Sequence, residues 1–211
     1  MKKLFMMMMM LAAAAPAAFA QDKSADDYKN EGNAAVRGKN YQAALESYKQ
    51  AIVLWGDSVD AMTVYNAADC AKRIGENETA IEYYNKAVAL NYKADYATYY
   101  IAEIYGKQGK TEERVALLED AAKKYTEGKV ASFIKKGLAK EYTTKAMAAY
   151  KEGSAILAEC QTAKPEQYKE IQDKAAVKFK EAKPWVDKTL EVDPENANAK
   201  NILNGIKEYV K

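Results

Sequence analysis

The sequence predicts an all-α protein built from stacked helical hairpins. Two observations carry that prediction: an apolar pattern at helical spacing that recurs along the chain, and turn signals that recur with it. "ALESYKQAIVLWGD", from Ala44 to Asp57, returns 36 positions later as "AIEYYNKAVALNYK", from Ala80 to Lys93. Ala44, Leu45, Tyr48, Ala51 and Ile52 become Ala80, Ile81, Tyr84, Ala87 and Val88, a spacing that places them on one helix face. A further shift of 34 lands on Arg114, Val115, Leu118, Ala121 and Ala122, with arginine in place of the first alanine. A fixed period of this length marks a repeat architecture, in which each unit buries its apolar face against the next.

A second helical stretch precedes each copy. Tyr28, Gly32 and Ala35 correspond to Val64, Ala68 and Ala71, and then to Thr98, Ala102 and Tyr105. The small residues Gly32, Ala68 and Ala102 let two helix backbones approach closely. A turn follows each time: "RGKN" to Asn40, "IGEN" to Asn77, "QGK" to Thr111. Glycine in the turn supplies the left-handed residue that ends a helix, and Asn40, Asn77 and Thr111 are expected to accept from the free amides that open the next one.

The period, the small residue in the first helix, the Ala–Tyr–Ala ladder in the second and the glycine-bearing turn resemble the tetratricopeptide repeat (TPR). That resemblance implies a right-handed solenoid of antiparallel helix pairs. Three repeats are expected at about 25–58, 61–93 and 95–127, within a region 21–127. Residues 128–211 form a divergent part. A long helix is expected from about Ser132 to Cys160, a second from Pro165 with a kink at Pro184, and a capping helix over 195–210 with Ala199, Ile202, Leu203 and Ile206 inward. Ala182, Val186, Thr189 and Leu190 carry the packing ladder of the second long helix.

At the amino terminus Lys2 and Lys3 precede an apolar run from Leu4 through Ala15, and "AFA" at Ala18–Ala20 precedes Gln21. This reads as a cleaved export signal over 1–20, placing the mature chain in the periplasm or outside the cell. Pro16 breaks the run well short of the roughly 20 residues a membrane span needs. The remaining chain carries 30 basic and 30 acidic side chains, a balance that favours neither nucleic acid nor an anionic membrane. The sequence contains no histidine, the commonest general base and metal ligand. No phosphate-binding loop or ligand cluster replaces it, so neither catalysis nor a cofactor is expected. Glu112 and Glu113 read as helix-opening acids, and Cys70 and Cys160 as buried free thiols.

In TPR proteins the first helices of successive repeats line a groove that takes peptides or helices, and the aligned copies make its rows readable. One row is Lys29, Tyr65, Tyr99; the next Asn33, Asp69, Glu103; the next Arg37, Arg73, Lys107. Asp69 with Arg73 and Glu103 with Lys107 are spaced as ordinary intrahelical ion pairs. Tyr65, Tyr96 and one of Tyr99 and Tyr100 are the tyrosines expected in the groove, with Tyr105 and the other of that pair in the core. Some TPR domains clamp a terminal carboxylate; Lys29, Asn33 and Asn66 occupy three places of that clamp, while Tyr96 and Tyr100 stand where its last two cations belong. The expected partner-binding set is therefore Lys29, Asn33, Arg37, Tyr65, Asn66, Asp69, Arg73, Tyr96, Tyr99 and Glu103. The expected function is a non-catalytic scaffold for another protein or peptide in a bacterial envelope. The alternative is a self-assembling structural protein that uses its carboxy-terminal long helices.

Overall fold

Residues 23–210 are described in a computed structural model, and the export signal expected at 1–20 lies outside them. Ser24 opens α1 (Ala25–Arg37) with a reciprocal cap. Its hydroxyl accepts from the Asp27 amide at 3.2 Å, and the Asp27 carboxylate accepts from the Ser24 amide at 2.9 Å. The chain returns as α2 (Tyr41–Trp55), then continues as α3 (Ala61–Ile74) and α4 (Asn77–Ala89), and as α5 (Ala94–Lys107) and α6 (Thr111–Lys124).

The turns inside these hairpins correct the sequence reading in one detail. The left-handed residue is Lys39 (φ +58°) in the first and Gly75 (+83°) and Gly109 (+73°) in the others. The three turns therefore align on that residue, and the cap that follows is Asn40, Glu76 or Lys110. Only Asn40 caps with its side chain, accepting from the Ala43 amide at 3.2 Å. Asn77 and Thr111, expected as caps, are the first helical residues, and neither Glu76 nor Lys110 makes a side-chain cap bond.

The apolar ladder closes each hairpin. Ala44, Leu45, Tyr48, Ala51 and Ile52 are buried, as are Ala80, Tyr84 and Ala87 and then Val115, Leu118 and Ala121. Tyr48 needs glycine opposite it: a Cβ at Gly32 would lie 2.5 Å from its ring. Three apolar clusters follow one another along the chain, the first spanning α2–α5, the second α5–α7 and the third the carboxy-terminal helices. A solenoid buries its core in this way, as a line rather than a ball.

The carboxy-terminal part consists of α7 (Gly128–Ala158), α8 (Tyr168–Val192) and α9 (Ala197–Ile206). α7 begins four residues before the expected Ser132 and runs unbroken through the stretch where the repeat pattern lapses. Pro184, where a kink is expected, lies on the exposed side of α8, and the helix continues through it. Ala182, Val186 and Thr189 are buried and Leu190 half-buried; Ala199, Ile202 and Ile206 face the same core with Leu203 at its edge. Both thiols are free, Cys70 buried but Cys160 only half-buried. Burial pushes the Cys70 thiol up to about 11, so it stays protonated at neutral pH. Among the described residues no helix is long and apolar enough to cross a membrane.

Arg114, the odd residue of the third ladder, is only 8 % exposed. It donates to Glu103 of α5 at 2.9 Å and to Glu141 of α7, so one guanidinium joins three helices. Gly106 makes room for it, since a Cβ there would meet its side chain at 3.1 Å.

Two outcomes test this packing by urea denaturation. Gly32→Ala is expected to cost about 1–3 kcal/mol by overpacking against Tyr48. Arg114→Leu should cost about 3–5 kcal/mol because it strands two carboxylates, and part of that loss should return when Glu103→Gln and Glu141→Gln are added.

Candidate functional site

The face built by α1, α3 and α5 carries two adjacent cavities that share Arg73. The first, about 260 Å³, lies between α1 and α3 and is lined by Asn33, Arg37, Asn66, Asp69 and Arg73, with Tyr41 and Tyr48 behind them. The second, about 480 Å³, lies between α3 and α5 and is lined by Lys72, Arg73, Tyr99, Tyr100, Glu103 and Lys107. Seven of the ten residues expected in the groove thus line one cavity or the other.

Three do not. Tyr65 is 5 % exposed and packs edge-on against Tyr84 and Tyr92, with ring centroids 5.6 and 5.8 Å apart, so it belongs to the core. Its place in the row is half-way into the hairpin interface, and the repeat pattern alone does not distinguish the two faces of that tyrosine. Lys29 pairs with Asp60 at 3.1 Å and covers the Trp55 ring, which holds it at the edge of the first repeat. Tyr96 is half-buried and leans on Tyr100, 6.4 Å away, outside both cavities. Tyr99, Tyr100 and Tyr105 are all half-buried and all pack on core clusters, so the expected division of that trio into core and groove members is not made.

The polar row Asn33, Asp69, Glu103 faces inward as much as outward. The Tyr48 hydroxyl donates to Asn33 at 2.8 Å, and the Tyr84 hydroxyl donates to Asp69 at 2.5 Å, each across 15 positions. In the third repeat that tyrosine is Leu118, and Glu103 accepts from Arg114 instead. These are latches between the two helices of a hairpin. Burial pushes the Tyr48 phenol up to about 12, and burial together with the Asp69 carboxylate pushes Tyr84 higher still, which keeps both hydroxyls available as donors.

The latches displace the intrahelical pairs expected from spacing. Asp69 pairs with Lys72 at 3.5 Å rather than with Arg73, and Glu103 pairs with Arg114 rather than Lys107. Among the described residues Arg37, Arg73 and Lys107 form no ion pair. Arg73 instead lies over the Tyr41 ring, 4.9 Å from its centroid. Three repeat-equivalent cations are therefore unneutralised along the two cavities. Lys72, paired with Asp69, lies beside them 3.2 Å from the Tyr100 centroid, with burial lowering its pKa below the usual lysine value. Sequence reading missed Lys72 and Tyr41, and the alignment offered no signal for Lys72, whose counterparts are Val36 and Gly106.

The tetratricopeptide repeat family model matches residues 63–93. A TPR repeats protein from Bacteroides fragilis is similar in structure, with a TM-score of 0.57 and 21 % identity over 88 % of this chain and 98 % of its own. Residues 63–93 thus match a tetratricopeptide repeat, and the chain has the all-α, TPR-like solenoid fold. Among curated relatives, the photosystem I assembly protein Ycf3 of Synechococcus elongatus is 31 % identical over 106 residues, covering 50 % of this chain and 61 % of the relative. That of Rippkaea orientalis is 34 % identical over 110 residues, covering 49 % and 64 %. The chain spans about three fifths of the length of these relatives.

The Lys72 environment predicts a titration. Its midpoint should lie below 10.5, and Asp69→Asn should lower it further, because Asp69 is the neighbour that favours the charged form. NMR of the lysine ε-carbons against pH measures both.

Proposed function

We propose that this protein is a non-catalytic scaffold that binds a polypeptide segment of another protein along the α1–α3–α5 face. The observation that carries the reading is the row Arg37, Arg73, Lys107. These are three cations at equivalent repeat positions beside tyrosine rings, without ion pairs of their own, while the neighbouring carboxylates are occupied inside the fold. Such a row suits a segment rich in acidic side chains. Tyr99 and Tyr100 supply rigid contact area, and Asn33 and Asn66 supply donors and acceptors that fix its register. The TPR-like fold supports a binding role, and so does the role of the Ycf3 relatives as photosystem I assembly proteins. The chemistry of the leader at residues 1–20 supports export to the envelope of a bacterium as the place where that binding happens.

A photo-crosslinking residue at Tyr99, and separately at the exposed Asn85 of α4, tests the reading in the native cells. A defined partner trapped from Tyr99 and absent from Asn85 is the expected result. The same band should weaken about tenfold or more in Arg73→Glu with Lys107→Glu, and fade as salt is raised. Trapping only of a second copy of this chain would replace the scaffold with the self-assembling alternative.

A further inference from the structure

Another cavity lies away from that face. It is a trough of about 660 Å³ between one side of α7 and the turn that joins α8 to α9. Ala139, Met147 and Ala148 give it an apolar floor with Thr143 and Thr144 between them, Lys136 and Lys140 stand at one end, Lys151 at the other, and Asp193 on the opposite wall. A second cavity of about 370 Å³ continues it past the start of α7, sharing Lys136 and Asp193. From Lys136 to Lys151 the stripe runs about 22 Å along the helix.

Charge distribution separates this helix from its neighbour. α8 carries six lysines, and five of them pair with carboxylates, among them Lys183 with Asp187 at 2.7 Å and Lys188 with Glu119 at 3.1 Å. α7 also carries six lysines, yet none forms an ion pair among the described residues. Its two acids are already engaged, Glu141 by Arg114 and Glu152 by Lys178. The trough is therefore positive at its ends, with Asp193 the one acid on its wall and none of its lysines paired with it.

We infer that this trough is a second docking site, for an amphipathic helix of a partner protein with acidic residues at both ends and apolar residues between. A helix of about 15 residues matches the stripe in length. Its acids would neutralise Lys136, Lys140 and Lys151 while its apolar face covers Met147. A membrane surface fits less well, because Thr143 and Thr144 interrupt the apolar floor and Asp193 repels anionic headgroups. Nucleic acid fits less well too, because Asp193 repels phosphate and the residues lining the trough offer no aromatic ring for base stacking. The inference stands on α7 and does not depend on what the α1–α3–α5 face binds.

The test uses the full chain and two synthetic peptides of about 16 residues: a helix-forming one with Glu-rich ends and a Leu- and Met-rich centre, and the same composition scrambled. Fluorescence anisotropy at low salt is the readout. The patterned peptide should bind more tightly than the scrambled one. Lys140→Glu with Lys151→Glu should weaken it at least tenfold, Met147→Ala should weaken it less, and Arg73→Glu on the other face should leave it unchanged. The substituted lysines are exposed, and unchanged circular dichroism separates lost binding from lost fold. Equal affinity for the two peptides, no effect of the lysine substitutions, or no binding would overturn the inference. So would lysine-dependent binding to phosphatidylglycerol vesicles without binding to the patterned peptide.

Discussion

The structure depends on how closely the two helices of a hairpin can approach. At the first repeat that approach is set by Gly32, which has no side chain to hold the Tyr48 ring away. Ala68 and Ala102 take the same position in the next two repeats, and both are fully buried. The hydroxyl of a tyrosine driven this far into the hairpin must find an acceptor, because a buried donor left without one costs about 1–3 kcal/mol. Asn33 and Asp69 answer that demand from the facing helix. Close approach and the latch are thus one arrangement: the small residue admits the ring, and the polar residue one position further on satisfies its end.

The third repeat solves the problem differently, and the difference marks where the regular solenoid gives way to longer helices. Leu118 has no hydroxyl, so Glu103 would face the interior without a donor. Arg114 replaces the alanine of the earlier ladders and supplies one. Its guanidinium has donors to spare and reaches Glu141 of α7 as well. A latch that joins two helices in the first two repeats therefore joins three here. The core changes at the same place, the first apolar cluster ending at Ile104 while the second draws on α5, α6 and α7.

Much of this was legible in the sequence because burial and repetition coincide there. The ladder residues, the small residues opposite them and the two long helices all follow from spacing that a helix turns into a face. The candidate site was less legible, for a physical reason visible at Tyr65 and Asp69. A residue on the first helix of a hairpin can point toward solvent or toward the second helix with a rotation too small for a repeat alignment to register. Tyr65 turned inward to its ring neighbours, and Asp69 turned far enough to take a hydroxyl from α4. The ion pairs suggested by intervals of four failed for the same reason, since their carboxylates found stronger partners across the hairpin. Lys72 was invisible because its counterparts in the other repeats, Val36 and Gly106, carry no polar side chain.

The way carboxylates are spent explains the charge of the faces. Acidic and basic side chains are equal in number beyond residue 20, so a patch of unneutralised cations requires acids to be committed elsewhere. On the α1–α3–α5 face Asp69 is committed to the Tyr84 hydroxyl and to Lys72, and Glu103 to Arg114. On α7 Glu141 and Glu152 are committed to Arg114 and Lys178. In both places the side chain left exposed by that commitment is basic. Packing a repeat by polar latches thus leaves a balanced chain with positive surfaces where its helices meet solvent. It makes the internal acceptors, as much as the exposed cations, determinants of what those surfaces attract.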